Sequence, residues 1–249
     1  MLLVALALLC GAALQSATGF GFSLLAAPLL FAALEPQRAV GLMAALGLVI
    51  NLLTLGTERR RPQPLMRDTA VILGGAVPGA LIGVVVLRAL DAVALQVLVS
   101  AGVVGALAAR RWASSSDASG SRSEPPPARF WSAPLAGLLA GGLGTSTTTS
   151  GPPLLLYLLN RGVQPAVMRD TLSLCFLGLG FIAPAALLVT QTTGAIPDPV
   201  LVAIGVPAVI LGHLAGRLGF ARLERGGYET VVTLLLLGSV VAGLAATLA

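Results

Sequence analysis

Gln15-Ser16-Ala17-Thr18-Gly19-Phe20-Gly21 interrupts an apolar stretch that runs from Met1 to Leu34. As one continuous helix that stretch would be about 51 Å long at 1.5 Å per residue, too long for a bilayer core of about 30 Å. Two glycines and three polar side chains sit in its middle, so it reads as a short helix, a break and a second short helix folding back. Backbone outside a helix survives at membrane depth only where protein or a watery cavity satisfies it. Gly144-Thr145-Ser146-Thr147-Thr148-Thr149-Ser150-Gly151-Pro152-Pro153 interrupts the stretch Phe130–Leu159 in the same way.

The two breaks are counterparts. Shifted by 129 residues, Pro36 falls on Pro165, Pro78 on Pro207, Gly83 on Gly212 and Arg88 on Arg217, with the hydrophobic blocks in the same order. An internal duplication follows. Its first half is a membrane repeat over 1–109, with a hairpin and spans near 39–57, 68–88 and 92–109. Its second half is a repeat over 131–249, with a hairpin and spans near 167–190, 199–218 and 229–249. Residues 110–130, with Ser114-Ser115-Ser116 and Pro125-Pro126-Pro127, form an extramembrane linker.

Composition places the chain in a membrane. Hydrophobic residues make up 56% and charged residues only 10%, where a soluble domain carries about a quarter charged. The mean hydropathy is +0.94. Cys10 and Cys175 lie in apolar runs and read as small buried hydrophobes, not a disulfide or a metal site. Leu2–Ala13 has the length of a signal-peptide core but no basic flank, and its counterpart is internal, so it reads as mature protein. All 15 basic residues are arginines, mostly in short loops. Nucleic-acid binding needs them on one soluble face, so orientation in the membrane is their reading, with lipid as neighbour.

Charge then decides the topology. Eight plain crossings divide the arginines 8 against 7. Opening hairpins that return to their own side divide them 13 against 2, with Arg38 and Arg88 alone opposite the rest. The second division obeys the positive-inside rule. It puts both termini outside the cytoplasm and inverts the halves relative to each other. The expected fold is all-α and polytopic: two inverted repeats, each of one discontinuous helical hairpin plus three transmembrane helices.

Inverted repeats bring the two breaks together. The candidate substrate-binding set is Gln15, Ser16, Thr18, Gly19, Gly21 and Ser23 from one, and Thr145, Ser146, Thr147, Thr148, Thr149, Ser150 and Gly151 from the other. It holds hydroxyls, backbone amides and two half-helix N-termini, near Phe22 and Pro152, without a carboxylate; these favour an anion. Ser150 reads as an N-cap with Pro152 behind it. Small residues that merely let helices pack closely are the plainer alternative. Candidate coupling or vestibule residues are Asn51, Arg88, His213 and Arg217. His213 is either a proton relay or a hydrogen-bonded packing residue. Asn51 either faces the cavity or bonds a neighbouring helix. Arg88 and Arg217, read as a repeat pair, either snorkel or draw anions inward.

Gly19-Phe20-Gly21-Phe22, then Leu24–Leu30 with Pro28 and Glu35-Pro36, resembles the first-repeat signature of the sulfite exporter TauE/SafE family. Gly151-Pro152-Pro153-Leu154-Leu155-Leu156-Tyr157, with Gly162 and Pro165, resembles the second. The resemblance covers the whole chain, although the glycine run is thinned to Gly19 and Gly21, Thr147–Ser150 stand in its place in the second half, and Tyr157 replaces a proline. It implies secondary transport of sulfite, sulfonates or related organic anions.

Enzyme classes fall away on their motifs. There is no Walker sequence, no HExxH and no cysteine–histidine cluster, and Ser150 with His213 lacks a rhomboid-type context. The expectation is a non-enzymatic bacterial inner-membrane permease without cofactor or metal, carrying a small anion and binding no nucleic acid. Its energy source is the anion gradient or protons. An anion channel and a non-transporting scaffold are the rival readings, and a homo-oligomer stays open.

Overall fold

The computed structural model describes residues 1–19, 21–57, 62–91, 93–105 except 96, 99 and 103, and 132–223. Among them all regular structure is helical: α1 (Leu2–Thr18), α2 (Phe22–Ala33), α3 (Pro36–Gly56) and α4 (Met66–Ala89). A short apolar helix α5 (Val93–Gly102) follows. Then come α6 (Ala133–Thr147), α7 (Gly151–Asn160), α8 (Pro165–Val189), a 3₁₀ turn over Thr193–Ala195 and α9 (Pro199–Leu223). Four stretches are long and apolar enough to cross a membrane: Pro36–Gly56, Met66–Ala89, Asp170–Val189 and Pro199–Leu218. The expected linker over 110–130 and the span near 229–249 lie outside the described residues.

Both expected breaks are present. α1 ends at Gly19, whose φ of 85° is left-handed and whose N–H bonds the Gln15 carbonyl at 2.7 Å. Gly21, at φ 109°, opens α2. In the second half Thr148 takes the left-handed position (φ 58°) where the first half has glycine. α2 folds back on α1 so closely that a Cβ on Gly11 would stand 2.7 Å from the Phe22 carbonyl oxygen. With 12 and 10 residues, α2 and α7 reach about 18 and 15 Å, short of the bilayer core.

Each half lends its first helix to the other. α6 lies parallel to α4: a Cβ on Gly79 would meet the Leu138 carbonyl oxygen at 2.1 Å, and one on Gly83 the Gly142 oxygen at 2.4 Å. α1 lies parallel to α9, where Gly212 and Gly216 face the Leu9 and Ala13 carbonyl oxygens, each at 2.2 Å from the same ideal Cβ. Lipid tails are as apolar as leucine, so helices in membranes associate by close packing, and small residues let backbones approach. Between these pairs α3 and α8 cross antiparallel, with Asn51 beside Phe176 and Leu48 beside Gly180, while Gln37 meets Gly194 in the turn beyond α8.

The contacts bear on the register of the expected repeat. Thr18 and Thr147 end α1 and α6, and Pro36 and Pro165 begin α3 and α8, all 129 apart. α8 has 25 residues against 21 in α3, one helical turn more. Beyond it the packing follows a spacing of 133, pairing Gly79 with Gly212 and Gly83 with Gly216. The matches Pro78–Pro207, Gly83–Gly212 and Arg88–Arg217 are therefore one turn out of step. On that spacing Arg88 and Arg217 do not correspond.

Candidate functional site

A cleft of about 670 Å³, mouth included, lies where the two breaks meet α3 and α8. The first turn of α2 supplies Gly21, Phe22, Ser23 and Leu24, and the second break supplies Thr148, Thr149, Ser150 and Gly151. Gln15 and Asn51 reach in from α1 and α3, and no carboxylate lines it among the described residues.

Gln15 and Asn51 are locked by what faces them. The Phe22 N–H can only donate, and it bonds Gln15 Oε1 at 3.3 Å. The Phe176 carbonyl can only accept, and Asn51 Nδ2 donates to it at 3.1 Å. Both amide orientations are thereby set, and Gln15 Nε2 donates to Asn51 Oδ1 at 2.6 Å. Each amide oxygen has a protein donor, while each NH₂ keeps one further hydrogen. Gln15 also serves α2 as a cap, since Gly21 has no side chain to offer.

Ser150 stands at the N-cap of α7, as expected, but its side chain caps nothing. The reason is chemical. An N-cap oxygen accepts from the second or third helical N–H, and those positions are Pro152 and Pro153, which have none. The hydroxyl is left to the cleft. The prolines also thin the expected helix-end site at α7, because only the Ser150 and Gly151 amides can serve as its orphan donors. The α2 end has no proline in its first turn and keeps the Ser23 and Leu24 amides beside the Phe22 amide that Gln15 takes.

The model of the sulfite exporter TauE/SafE family matches residues 3–244. The chain belongs to the sulfite exporter TauE/SafE family. No curated protein and no solved structure matches it. Membership in TauE/SafE, a family of membrane transporters, agrees with the apolar helices.

The cleft of this TauE/SafE protein gathers Gln15, Gly21, Ser23, Asn51, Thr148, Thr149, Ser150 and Gly151 from the expected residues. Others lie off it. Ser146 and Thr147 return their hydroxyls to the Gly142 and Leu143 carbonyls at 2.8 and 2.9 Å, one turn back in α6. Thr145 is fully buried beside Gly83, and its hydroxyl has no partner among the described residues. Ser16 faces α9, and Gly19 is buried at the end of α1. The side chain of Thr18 lies outside the described ones. Arg88 ties down the loop after α8, donating to the Thr190 carbonyl and to Thr192 Oγ1. His213 is buried between Ser16 and Thr57, and Arg217 is exposed.

Sequence reading missed Met43, Ala44 and Gly47 on α3, Gly141 and Gly144 on α6, and Phe176, Leu179, Gly180 and Ala183 on α8. A signal existed. Ala44, Gly47 and Asn51 fall at i, i+3 and i+7, one helix face of small and polar residues. It also missed the bidentate pair that Arg161 makes with Asp68, with N–O distances of 2.9–3.1 Å. Tyr157 adds a bond to the same carboxylate at 2.9 Å, and the hydrogen-bonded Asp68 raises the Arg161 guanidinium above the usual arginine range.

Proposed function

We propose that this protein is a secondary-active transporter of small anions, sulfite and organosulfonates foremost, in a bacterial inner membrane. Two inverted repeats, with both termini outside the cytoplasm, carry a single central site that opens to each side in turn. The swapped packing of α1 on α9 and α6 on α4 supports the repeat plan, as does the antiparallel crossing of α3 and α8. The family supports transport of sulfite.

The observation that carries the choice of an anion is the polarity of the cleft's unused valences. Gln15 and Asn51 turn their oxygens into protein bonds and keep N–H groups over. The first turn of α2 adds backbone N–H groups and the positive end of a helix dipole. Serine and threonine hydroxyls donate as readily as they accept. A cation or a carbonyl-poor neutral solute has little to bind here; an oxyanion has a donor for each oxygen.

The test is flux in proteoliposomes over sulfite, isethionate, sulfate and acetate. Replacing Thr148, Thr149 and Ser150 together by alanine is expected to abolish uptake of the preferred anion in a protein that still folds. Gln15→Glu keeps the oxygen for Phe22 but removes the N–H donor and adds a negative charge, so it too is expected to silence transport. Undiminished flux in both variants refutes the site.

A further inference from the structure

His213 is the chain's only histidine and lies 2% exposed on α9, outside the cleft. Its Nδ1 is 2.7 Å from Ser16 Oγ, and its Nε2 is 3.1 Å from Thr57 Oγ1. Both hydroxyls also reach backbone carbonyls of their own helices. Ser16 lies 2.8 Å from the Ala12 oxygen, and Thr57 lies 2.7 Å from the Leu53 oxygen, with Thr54 O at 3.5 Å.

Four close contacts therefore need four protons. Ser16 and Thr57 bring one each, and a neutral imidazole brings one more. The neutral ring leaves the cluster one proton short, so that a hydroxyl must abandon its helix carbonyl to serve the ring. An imidazolium completes it: both ring nitrogens donate outward, and both hydroxyls keep their helix bonds. The arrangement is built to accept a proton.

What surrounds the ring decides when it can hold one. α1 brings no charged residue and only Cys10 as a titratable group, while α3 has only Arg38, near its opposite end. α9 brings Arg217, one turn on. Glu58 and Arg59–Arg61 follow Thr57 in the chain and lie outside the described residues. No described carboxylate is at hand on these helices, and Arg217 adds repulsion. A buried cation without a counter-charge is strongly disfavoured. The cleft can supply that charge, because Gln15, which lines it, adjoins Ser16 in α1.

We propose that His213 is a proton-binding site coupled to the anion cleft, with the imidazole taking up a proton as an anion arrives and losing it as the anion leaves. The inference rests on the anion reading above and adds to it the coupling ion. Ser16 passes the state of the ring to the last turn of α1, where the hairpin breaks.

A single histidine makes the test clean. In ring-¹⁵N-histidine protein in nanodiscs at pH 7, the imidazole is expected to be neutral without ligand. It should become protonated at both nitrogens on saturation with sulfite or isethionate. Isethionate is included because its sulfonate does not itself titrate near neutrality. In weakly buffered proteoliposomes one proton should accompany each isethionate, read with a pH dye inside. His213→Gln keeps hydrogen-bonding groups on the ring's site but cannot take up the proton. It should bind isethionate roughly tenfold more weakly at pH 7 and carry it without proton movement. Thr57→Val, which removes one acceptor, should lower the protonated fraction at saturation. Calorimetric binding of an anion with an unchanged ring signal overturns the proposal, as does proton-coupled flux in His213→Gln. No binding of either anion overturns the anion reading, and this inference with it.

Discussion

Thr148 shows how a single residue sets the shape of the cleft. It holds a left-handed φ of 58° that a β-branched side chain adopts only under strain, of order 1–3 kcal/mol. Its counterpart Gly19 adopts the same region freely. Thr148→Gly is expected to stabilise the protein by about 1 kcal/mol, since relief of strain outweighs the roughly 0.5–1 kcal/mol that glycine loses in chain entropy. It should also remove one hydroxyl from the cleft. Unfolding by SDS in mixed micelles measures the first effect, and a less stable variant refutes the strain argument. That the apolar run breaks near Gly19–Gly21 was legible, because glycine and polar residues stand out against leucine. Which hydroxyls of Thr145–Ser150 face the cleft was not. That depends on where α6 stops, and a run of six hydroxyl residues carries no mark of its left-handed member.

At the scale of elements, α4 and α6 touch through glycine backbones. A Cβ at Gly79 would lie 2.1 Å from the Leu138 oxygen, whereas one at Gly74 would meet nothing within 4 Å. Gly79→Ala must push two helices apart and is expected to destabilise by about 1–3 kcal/mol. Gly74→Ala, exposed and in the same helix, is expected to stabilise by roughly 0.5–1 kcal/mol. Equal effects at the two sites, in the same SDS assay, would refute the interface. The helices themselves were readable from length and hydropathy, with Pro36 and Pro165 at their starts. The extra turn of α8 was not, because an insertion inside a continuous apolar run leaves the pattern intact. It displaced the apparent matches of Pro78 and Arg88 by one turn.

At the scale of the molecule, α3 and α8 run in opposite directions while each half's first helix packs on the other half's fourth. The two ends of this bundle differ chemically. One carries Asp68 with Arg161 and Tyr157, and Asp170 accepting the Gln63 N–H at 2.8 Å. The other carries Arg88 with Thr190 and Thr192. In a chain without Cys10 and Cys175, a cysteine at Gln63 is expected to react only with cytoplasmic reagent, and one at Asp198 only with external reagent. Reaction of both from one side would end the inverted model.

The amino-acid sequence by itself determined that the chain is that of a membrane protein and that each of its two polar stretches breaks an apolar run into a helical hairpin. Those facts are local, because hydropathy, helix length and the conformational freedom of glycine belong to each segment wherever it packs. Only the tertiary structure decided that Gln15 and Asn51 hold each other with their oxygens turned inward, that Ser146 and Thr147 look away from the cleft, and that His213 sits between Ser16 and Thr57. Hydrogen-bond partners 36 to 197 residues apart in the chain are set by how helices cross, and no periodicity within a helix records that.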